Sequence, residues 1–283
     1  MRFPEFSGEW EMVSLQDIAT INPKSDPLQN TFIYIDLEAV EKGELRKIQE
    51  IMREEAPSRA QRVIDNNDIL FQCVRPYQKN NYIHRILNTS NQQWVASTGY
   101  AQIRTTELPN YIYHLLNTDE FNRKVMVRCT GSSYPAINSE DLATIHLYYT
   151  PDKKEQLKIS RLLDLLDKRI ATQNKIIEDL KKLKSAISKH LFARKDLLET
   201  TICLSNIATL KNGYAFQSGK YNALGKWKIL TITNVSGERY INDEDYNCII
   251  NLPNDIQDHQ VLKEGDILIS LTGNVGRVSL CKD

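Results

Sequence analysis

Residues 152–193 read DKKEQLKISRLLDLLDKRIATQNKIIEDLKKLKSAISKHLFA, and this stretch decides how the chain is organised. It contains no Gly or Pro, and its apolar residues recur every three or four positions between mostly charged and amide side chains. This spacing predicts one helix of about 40 residues, roughly 60 Å long at 1.5 Å per residue. Asp152 follows Pro151 and lies three residues before Glu155, which predicts an N-cap within a capping box.

The apolar stripe of this helix is its predicted interface. The main positions are Ile159, Leu163, Leu166, Ile170, Ile177, Leu180, Ile187 and Leu191. The stripe is widened by Leu162, Leu165, Ile176 and Leu183 and interrupted by Gln173 and Lys184. A wide stripe with polar interruptions favours two or more partner surfaces over one simple dimer seam.

The composition is that of an ordinary globular protein, with 41% hydrophobic and 25% charged residues. Residues 1–150 contain 15 Lys and Arg and 19 Asp and Glu. Residues 151–200 contain 13 and 8 of these, and residues 201–283 contain 8 and 9. Any contact with nucleic acid must therefore use a local basic patch. The sequence has no apolar run of the roughly 18 residues that a membrane span needs and no signal core, which predicts no membrane association and a cytoplasmic protein. The five scattered cysteines argue against a disulfide framework and a zinc site.

The segments on either side of the helix are related in sequence. Residues 15–20 and 204–209 both read Leu-x-x-Ile-Ala-Thr, and residues 33–37 and 68–70 align with 231–235 and 266–268 at a common offset of 198. Such a repeat predicts two related modules. We therefore expect an α+β fold with a first domain over 1–150, the long helix over 151–195, and a truncated second domain over 200–283 that ends in a hairpin near 272–280.

Within the first domain, residues 13–21 predict a short amphipathic element. Aromatic and β-branched residues predict strands near 32–37, 68–74, 94–96 and 100–103, with a turn at 66–68. The apolar periodicity of residues 108–127 predicts one helix that begins near Pro109.

No residue pattern in the chain carries catalysis. The phosphate-binding patterns G-x-x-x-x-G-K-[ST] and G-x-G-x-x-G are missing from the sequence. The five histidines lack metal-ligand spacing, and Asn22-Pro23-Lys24 departs at its third residue from the Asn-Pro-Pro-Tyr motif of amino-methyltransferases. We therefore predict no catalytic residue and no metal site.

Two clusters of polar residues suit contacts with nucleic acid. The first spans residues 53–62 and 74–82, where Arg and Gln are the types that read guanine and adenine edges. The second spans residues 130–138, where a Gly-Ser turn offers N–H and hydroxyl groups to a phosphate. The alternatives fit equally well: a solvated loop paired with Glu54 and Glu55, and a structural turn. The candidate DNA-binding residues are Arg53, Arg59, Gln61, Arg62, Arg75, Tyr77, Lys79, Arg104, Ser132, Ser133, Tyr134 and Asn138.

Taken in order, these features resemble the DNA-specificity subunit of a type I restriction–modification system along essentially the whole chain. The resemblance is carried by residues 43–45, 131–142, 155–159 with 163–167, 180–192 and 265–270. It implies two target-recognition domains, each reading one half of a split double-stranded DNA site. It also implies two antiparallel helices that hold the domains apart and set the gap between the half-sites.

The resemblance further implies a subunit without catalytic activity that binds no cofactor directly. S-adenosylmethionine, ATP and Mg are expected on two partners, a modification subunit that methylates adenine N6 and a restriction subunit that translocates and cleaves DNA. The apolar stripe of the helix then predicts a homodimer or contact with the modification subunit. The alternatives are a coiled-coil scaffold whose flanking domains bind protein, and an inactive truncated gene product. A stand-alone methyltransferase or nuclease is disfavoured by the missing motifs.

Overall fold

The structure, a computed structural model, describes residues 2–85, 92–193 and 201–282. It divides into two compact units, Met1–Ser188 and Lys189–Asp283, so most of the long helix belongs to the first unit. Helices and strands occur together within the first unit, which confirms the predicted α+β class. The predicted domain limits at residues 195 and 200 lie outside the described residues.

The N-terminal segment contains three short elements where the sequence predicts one. These are β1 (Glu11–Ser14), α1 (Leu15–Ile18) and β2 (Ala19–Ile21). The Asp17 carboxylate accepts hydrogen bonds from the Ser14 backbone N–H at 2.8 Å and from the Ser14 hydroxyl at 2.6 Å. These bonds stabilise the first turn of α1 directly after β1, and they place Leu15 in the core with no exposed surface.

Nine further strands build most of the first unit: β3 (Thr31–Ile35), β4 (Val40–Glu41), β5 (Glu44–Leu45), β6 (Gln49–Met52), β7 (Ala60–Ile64), β8 (Ile69–Gln72), β9 (Tyr82–Ile83), β10 (Gln93–Ser97) and β11 (Tyr100–Thr105). One sheet has the order β6-β3-β10-β7 and the other β2-β11-β8-β9, while β4 and β5 form a hairpin. In these two sheets only β3 and β10 pair in parallel. The predicted strands correspond to β3, β8, β10 and β11.

The second sheet is buried on both faces. Ile69 and Phe71 of β8 belong to a core shared with helices, whereas Leu70 belongs to a core shared with β3, β7 and β10. A strand covered on both sides needs a continuous apolar run in place of an alternating one. All four residues of β8 are accordingly buried, and its last residue, Gln72, lines the surface described below.

Three short helices cover this sheet: α2 (Pro109–Leu116), α3 (Asp119–Arg128) and α4 (Ser139–Ala143), followed by β12 (His146–Tyr149), which pairs with β1. The prediction of one continuous helix over residues 108–127 is wrong at its centre. The Thr118 hydroxyl accepts the Phe121 N–H at 3.2 Å and so begins a new helix. An N-cap of this kind satisfies a donor that the first turn otherwise leaves free, which stabilises the break.

The long helix, α5, runs over Lys153–Phe192 and confirms the predicted 40-residue helix. Asp152 Oδ1 accepts the N–H groups of Lys154 at 2.8 Å and Glu155 at 3.3 Å, which confirms the N-cap. The predicted capping box is wrong in its second half. The Glu155 side chain does not turn back to Asp152, because it is fully buried against the domain.

Polar contacts anchor the first turns of α5 to the domain. Glu155 accepts two hydrogen bonds from the Arg2 guanidinium, at 2.6 and 2.7 Å, and one from the Thr150 hydroxyl at 2.8 Å. The hydrogen bond from Arg2 holds the pKa of Glu155 below its usual range, against the opposing effect of burial. About two and a half turns further on, Asp164 accepts a hydrogen bond from Asn110 of α2 at 2.5 Å. The domain and the start of α5 are therefore joined by charge-assisted bonds.

The apolar stripe of α5 faces solvent over most of its length. Ile159 packs on the core, and Leu163 is half-buried. The exposed fraction is between 48% and 64% for Leu166, Ile170, Ile177, Leu180, Ile187 and Leu191. A row of exposed large apolar side chains of this kind marks an interaction surface in a globular protein.

The second unit contains two antiparallel strand pairs. β13 (Trp227–Ile229) pairs with β14 (Asn247–Ile249), and β15 (Ile267–Ile269) pairs with β16 (Val278–Leu280). The hairpin predicted near residues 272–280 therefore has its first strand earlier, at 267–269. The predicted equivalence of residues 33–37 and 231–235 is not matched in structure. The first range includes part of β3, whereas the second contains the 3-10 turn Ile232–Asn234.

The match between residues 68–70 and 266–268 has the same local geometry in both units. Asp68 Oδ2 accepts the Asp65 N–H at 2.7 Å just before β8, and Asp266 Oδ2 accepts the Lys263 N–H at 2.8 Å just before β15. An Asp that closes such a turn with its own side chain is a common start for a strand. The matching turns support the interpretation that residues 68–70 and 266–268 are related.

Candidate nucleic-acid interface

A groove of about 830 Å³ opens on the surface of the first unit. It lies between the β4–β5 hairpin, the segment that follows β8, the turn that joins β10 to β11, and the loop before α4. We call it the arginine groove. Its lining residues are Leu37, Glu38, Val40, Glu41, Arg46, Arg59, Gln72, Val74, Arg75, Gln78, Asn80, Thr98, Gly99 and Tyr134.

Arg75 and Tyr134 form a stacked pair in the arginine groove. The guanidinium carbon of Arg75 lies 4.3 Å from the centroid of the Tyr134 ring. Arg75 has a φ of 54°, a left-handed conformation that residues other than Gly rarely adopt, and its N–H donates to the Pro135 carbonyl at 2.7 Å. Strained backbone of this kind concentrates at functional sites. The stacking holds a planar cation in place while its N–H groups remain available to an acceptor.

The loop that carries Tyr134 is closed by its own backbone. Thr130 and Ala136 exchange two N–H···O hydrogen bonds, each 2.9 Å long. Gly131 has a φ of 89°, and a Cβ atom there would lie 3.0 Å from the Tyr134 carbonyl oxygen. Only Gly accepts this conformation and this close approach without strain. The Gly-Ser turn therefore serves to place Tyr134 over Arg75.

Arg59 and Arg46 add two more cations to the groove. The Arg59 guanidinium has no hydrogen-bond or ion-pair partner within residues 2–85, 92–193 and 201–282. Arg46 lies 2.8 Å from a Glu44 carboxylate oxygen and 3.4 Å from one of Glu41. Arg46 is therefore partly neutralised within the fold, whereas Arg59 and Arg75 can bind an external acceptor.

A buried amide supports the same groove from below. Gln72, at the end of β8, is only 2% exposed, and its side chain bonds both to Gln78 and to the backbone of Asn80. Gln78 falls inside the predicted cluster at 74–82, but it is not among the candidate residues. Its residue type was the only signal in the sequence, since its orientation depends on contacts that form after folding.

The structure brings Arg59, Arg75 and Tyr134 together and leaves the other candidates outside the arginine groove. Exposed positions elsewhere are occupied by Arg53, Gln61, Tyr77, Ser132 and Ser133. Burial lowers the pKa of Arg62, whose Nε atom is buried with no hydrogen-bond partner among the described residues.

Three more candidates bond within the fold. Lys79 Nζ lies 2.5 Å from an Asp119 carboxylate oxygen, Arg104 donates two hydrogen bonds to Asp68 at 2.7 and 2.8 Å, and Asn138 is the N-cap of α4. The hydrogen bonds to Asp68 raise the pKa of Arg104 above its usual range. Each of these side chains has a structural role, and its contact with DNA stays a prediction.

The described residues offer neither a metal-ion site nor a reactive thiol at Cys73. These residues include no group of three His, Cys, Asp or Glu side chains placed to hold a metal ion. Burial raises the pKa of the Cys73 thiol to about 12, so this cysteine does not supply a thiolate nucleophile near neutral pH. Across the same residues, the helices lack the combination of length and apolar content that crossing a membrane requires.

A sequence-family model described as the type I restriction modification DNA specificity domain matches residues 7–182. The chain belongs to this family. The matched range contains the arginine groove and most of α5. The resemblance noted in the sequence is thereby confirmed.

Among curated relatives, the type I specificity chain is similar to the HindI specificity subunit of Haemophilus influenzae. The two are 24% identical over 195 residues, which cover 67% of this chain and 39% of that subunit. The chain thus spans about two fifths of the length of the curated relative that it matches.

Solved structures share the fold of this type I specificity chain. A chain from work on complex assembly and conformational transition of the type I R-M system gives a TM-score of 0.61 at 20% identity, covering 98% of this chain and 73% of that one. The HsdS subunit from Thermoanaerobacter tengcongensis gives 0.50 at 21%, covering 99% and 73%. The S subunit from M. genitalium gives 0.51 at 16%, covering 98% and 71%. At these levels of sequence identity, the similarity to the solved structures shows a shared fold and nothing more.

Proposed function

We propose that the first unit reads one half of a bipartite DNA site as part of a type I restriction–modification specificity subunit. The observation that carries this proposal is the Arg75–Tyr134 stack beside Arg59 in the arginine groove. Arg forms bidentate hydrogen bonds with guanine O6 and N7 and with phosphate oxygens, and stacking on a ring fixes its plane for that purpose. The unit has no catalytic role in this proposal.

The charge pattern of the groove favours base edges over phosphates. Glu38 and Glu41 line the same groove as Arg59 and Arg75. A carboxylate repels the phosphate backbone but accepts a hydrogen bond from the N4 amino group of cytosine. A surface with both signs of charge therefore suits the mixed donors and acceptors of the major groove.

The remaining parts of the chain take their roles from the same proposal. Residues 1–150 are the first recognition domain, 151–195 the spacer helix, and 200–283 part of a second recognition domain. Methylation of adenine N6 and restriction belong to the modification and restriction subunits, which hold S-adenosylmethionine, ATP and Mg. The complex acts in the cytoplasm.

Arg75→Ala and Arg59→Ala are each expected to weaken binding to the specific site by about 1–3 kcal/mol if the side chain reads a base. The measurement is a titration of specific and random-sequence duplexes with the complex reconstituted with the modification subunit, the site having been found by methylome sequencing. Arg123→Ala is the matched control, since Arg123 is exposed on α3 and does not line the groove. Unchanged discrimination in both groove variants contradicts the assignment.

The exposed stripe of α5 is expected to be covered by a second copy of the chain or by the modification subunit, because exposed apolar surface of this extent promotes association. Size-exclusion chromatography with light scattering, on the chain alone and with that subunit, measures the outcome. The double substitution Ile170→Lys with Ile177→Lys should abolish the assembly. Thr172 lies on roughly the opposite face of α5 from both positions, so Thr172→Lys should leave the assembly intact. A stable wild-type monomer that also ignores the modification subunit contradicts the prediction.

A second candidate function is a coiled-coil scaffold whose flanking domains bind protein. The same exposed stripe on α5 favours it, since this stripe requires a partner but not DNA. A gel-shift assay with random-sequence duplex and the modification subunit separates the two functions. A scaffold leaves the DNA mobility unchanged, whereas a specificity subunit retards it in a strongly salt-dependent manner.

A further inference from the structure

We propose that Gln78 determines specificity in the arginine groove by presenting only hydrogen-bond donors, so that it selects guanine. This inference rests on the proposed function and names the base that this part of the site reads. It follows from a chain of three hydrogen-bonding groups, the Asn80 N–H, the Gln72 side chain and the Gln78 side chain, in which each group fixes the orientation of the next.

The first step fixes the Gln72 amide. Gln72 Oε1 lies 3.1 Å from the backbone nitrogen of Asn80, and a backbone N–H can only donate, so the oxygen of Gln72 must point toward it. The Gln72 side chain is buried, and reversing its amide would place two donors against each other. The backbone N–H of Gln72 donates to Asn81 Oδ1 at 2.8 Å. The position of Gln72 Nε2 is therefore set by the fold.

The second step fixes the Gln78 amide. Gln72 Nε2 lies 2.9 Å from the Gln78 side chain and donates, so Gln78 must turn its Oε1 toward Gln72. The Nε2 group of Gln78, with its two N–H donors, is then directed away from Gln72. Gln78 is exposed and lines the groove, and within the described part of the chain this Nε2 atom has no hydrogen-bond partner.

The third step relates these donors to a base. A free glutamine pairs with adenine by donating to N7 and accepting from the N6 amino group. Because the Gln78 oxygen is turned toward Gln72, the side chain directs its N–H donors into the groove, where they would oppose the adenine amino group. Guanine offers two adjacent acceptors, N7 and O6, in the major groove. The neighbouring Arg75 is also a donor, and its carbonyl accepts the Gln78 N–H at 3.0 Å, so both side chains belong to one turn.

The test exchanges donors for acceptors without removing the Gln72 contact. Gln78→Glu keeps the side-chain length and an oxygen for Gln72 Nε2, but replaces the two donors with an acceptor. Selection from randomised duplexes with the reconstituted complex should then favour cytosine or adenine, which carry amino donors, where the wild type selects guanine. The preference at that position should change by about 10-fold or more, within the range of one bidentate contact.

Gln72→Glu tests the same chain of bonds from its buried end. The new carboxylate accepts from Asn80 but cannot donate, so the Gln78 amide turns round and presents its oxygen. The same change in base preference is expected. Because burying a carboxylate can destabilise the fold, the thermal midpoint of Gln72→Glu is measured as well. If Gln72→Glu fails to fold, the exposed Gln78→Glu variant decides the outcome.

Gln49→Glu is the matched control, since Gln49 is exposed in β6 and does not line the groove. It introduces the same charge and should leave the base preference unchanged. An unaltered guanine preference in Gln78→Glu overturns the inference, as does a uniform loss of affinity for all sequences, which indicates a phosphate contact. If the wild-type complex retains no DNA, the proposed function itself fails, and that outcome is distinct from both.

Discussion

Asp68→Ala is expected to lower the unfolding free energy of the first unit by about 3 kcal/mol. Asp68 is 1% exposed and accepts hydrogen bonds from Gln102 Nε2 at 2.7 Å, from two Arg104 nitrogens, and from the Asp65 N–H. Removing one partner of a buried ion pair costs about 3–5 kcal/mol. The lower end applies because the Arg104 side chain is 40% exposed and solvent can replace part of the lost interaction.

Urea unfolding at neutral pH measures this change. Asp65→Ala is the control, because Asp65 contacts the same Arg104 at 2.5 Å but its side chain is 63% exposed. Its cost should stay below about 1 kcal/mol, as is usual for an exposed ion pair. Equal effects of the two substitutions would show that burial of Asp68 does not decide its contribution.

His84→Phe is expected to remove most of an acid-induced loss of stability of about 3 kcal/mol. His84 has no exposed surface and lies 4.8 Å from the Trp94 ring centroid and 6.0 Å from that of Tyr82. Burial lowers the pKa of His84 to about 4, although the nearby Asp68 acts in the opposite direction. An unfolded histidine binds its proton near pH 6.5. The unfolded state therefore binds more protons than the folded state between about pH 6.5 and 4, and stability falls as the pH falls through this range.

The measurement is the unfolding free energy of both proteins at pH 8, 6 and 4.5. At pH 8 the histidine is neutral in both states, so the difference there reports only packing and the burial of the two His84 ring nitrogens, which have no hydrogen-bond partner among the described residues. The difference should move in favour of the Phe variant as the pH falls. Parallel pH profiles would contradict the prediction, since other acid-sensitive groups act equally in both proteins.

The sequence predicts those parts of the fold that depend on local pattern. The 40-residue α5 follows from its unbroken periodicity, and β8 from its apolar run. The sequence does not predict the break between α2 and α3, because apolar periodicity continues across Thr118 and the capping bond that separates the helices forms only in the folded chain. The sequence predicts a capping box at Glu155 for the same reason, since its actual partner, Arg2, lies 153 residues away.

The candidate site follows a similar division. Residue type alone points to Arg59, Arg75 and Tyr134, and these three meet in the groove. Residue type also selected Arg104, because nothing in the sequence reveals that Asp68 binds it across 36 positions. Residue type alone does not select Gln78, although the structure places it in the groove. The orientation of its amide is set by Gln72, a constraint that exists only once β8 and the following turn have folded.

The bonds around Glu155 lie at one end of a helix about 60 Å long. Over that length, a rotation of about 1° at the anchored end moves the other end by about 1 Å. Recognition geometry tolerates displacements of about 0.5 Å, which corresponds to roughly half a degree. The orientation of the helix therefore depends on a few hydrogen bonds at its anchored end, which are donated by Arg2, Thr150 and Asn110. The stiffness of these hydrogen bonds limits how accurately anything bound at the other end of the helix can be positioned.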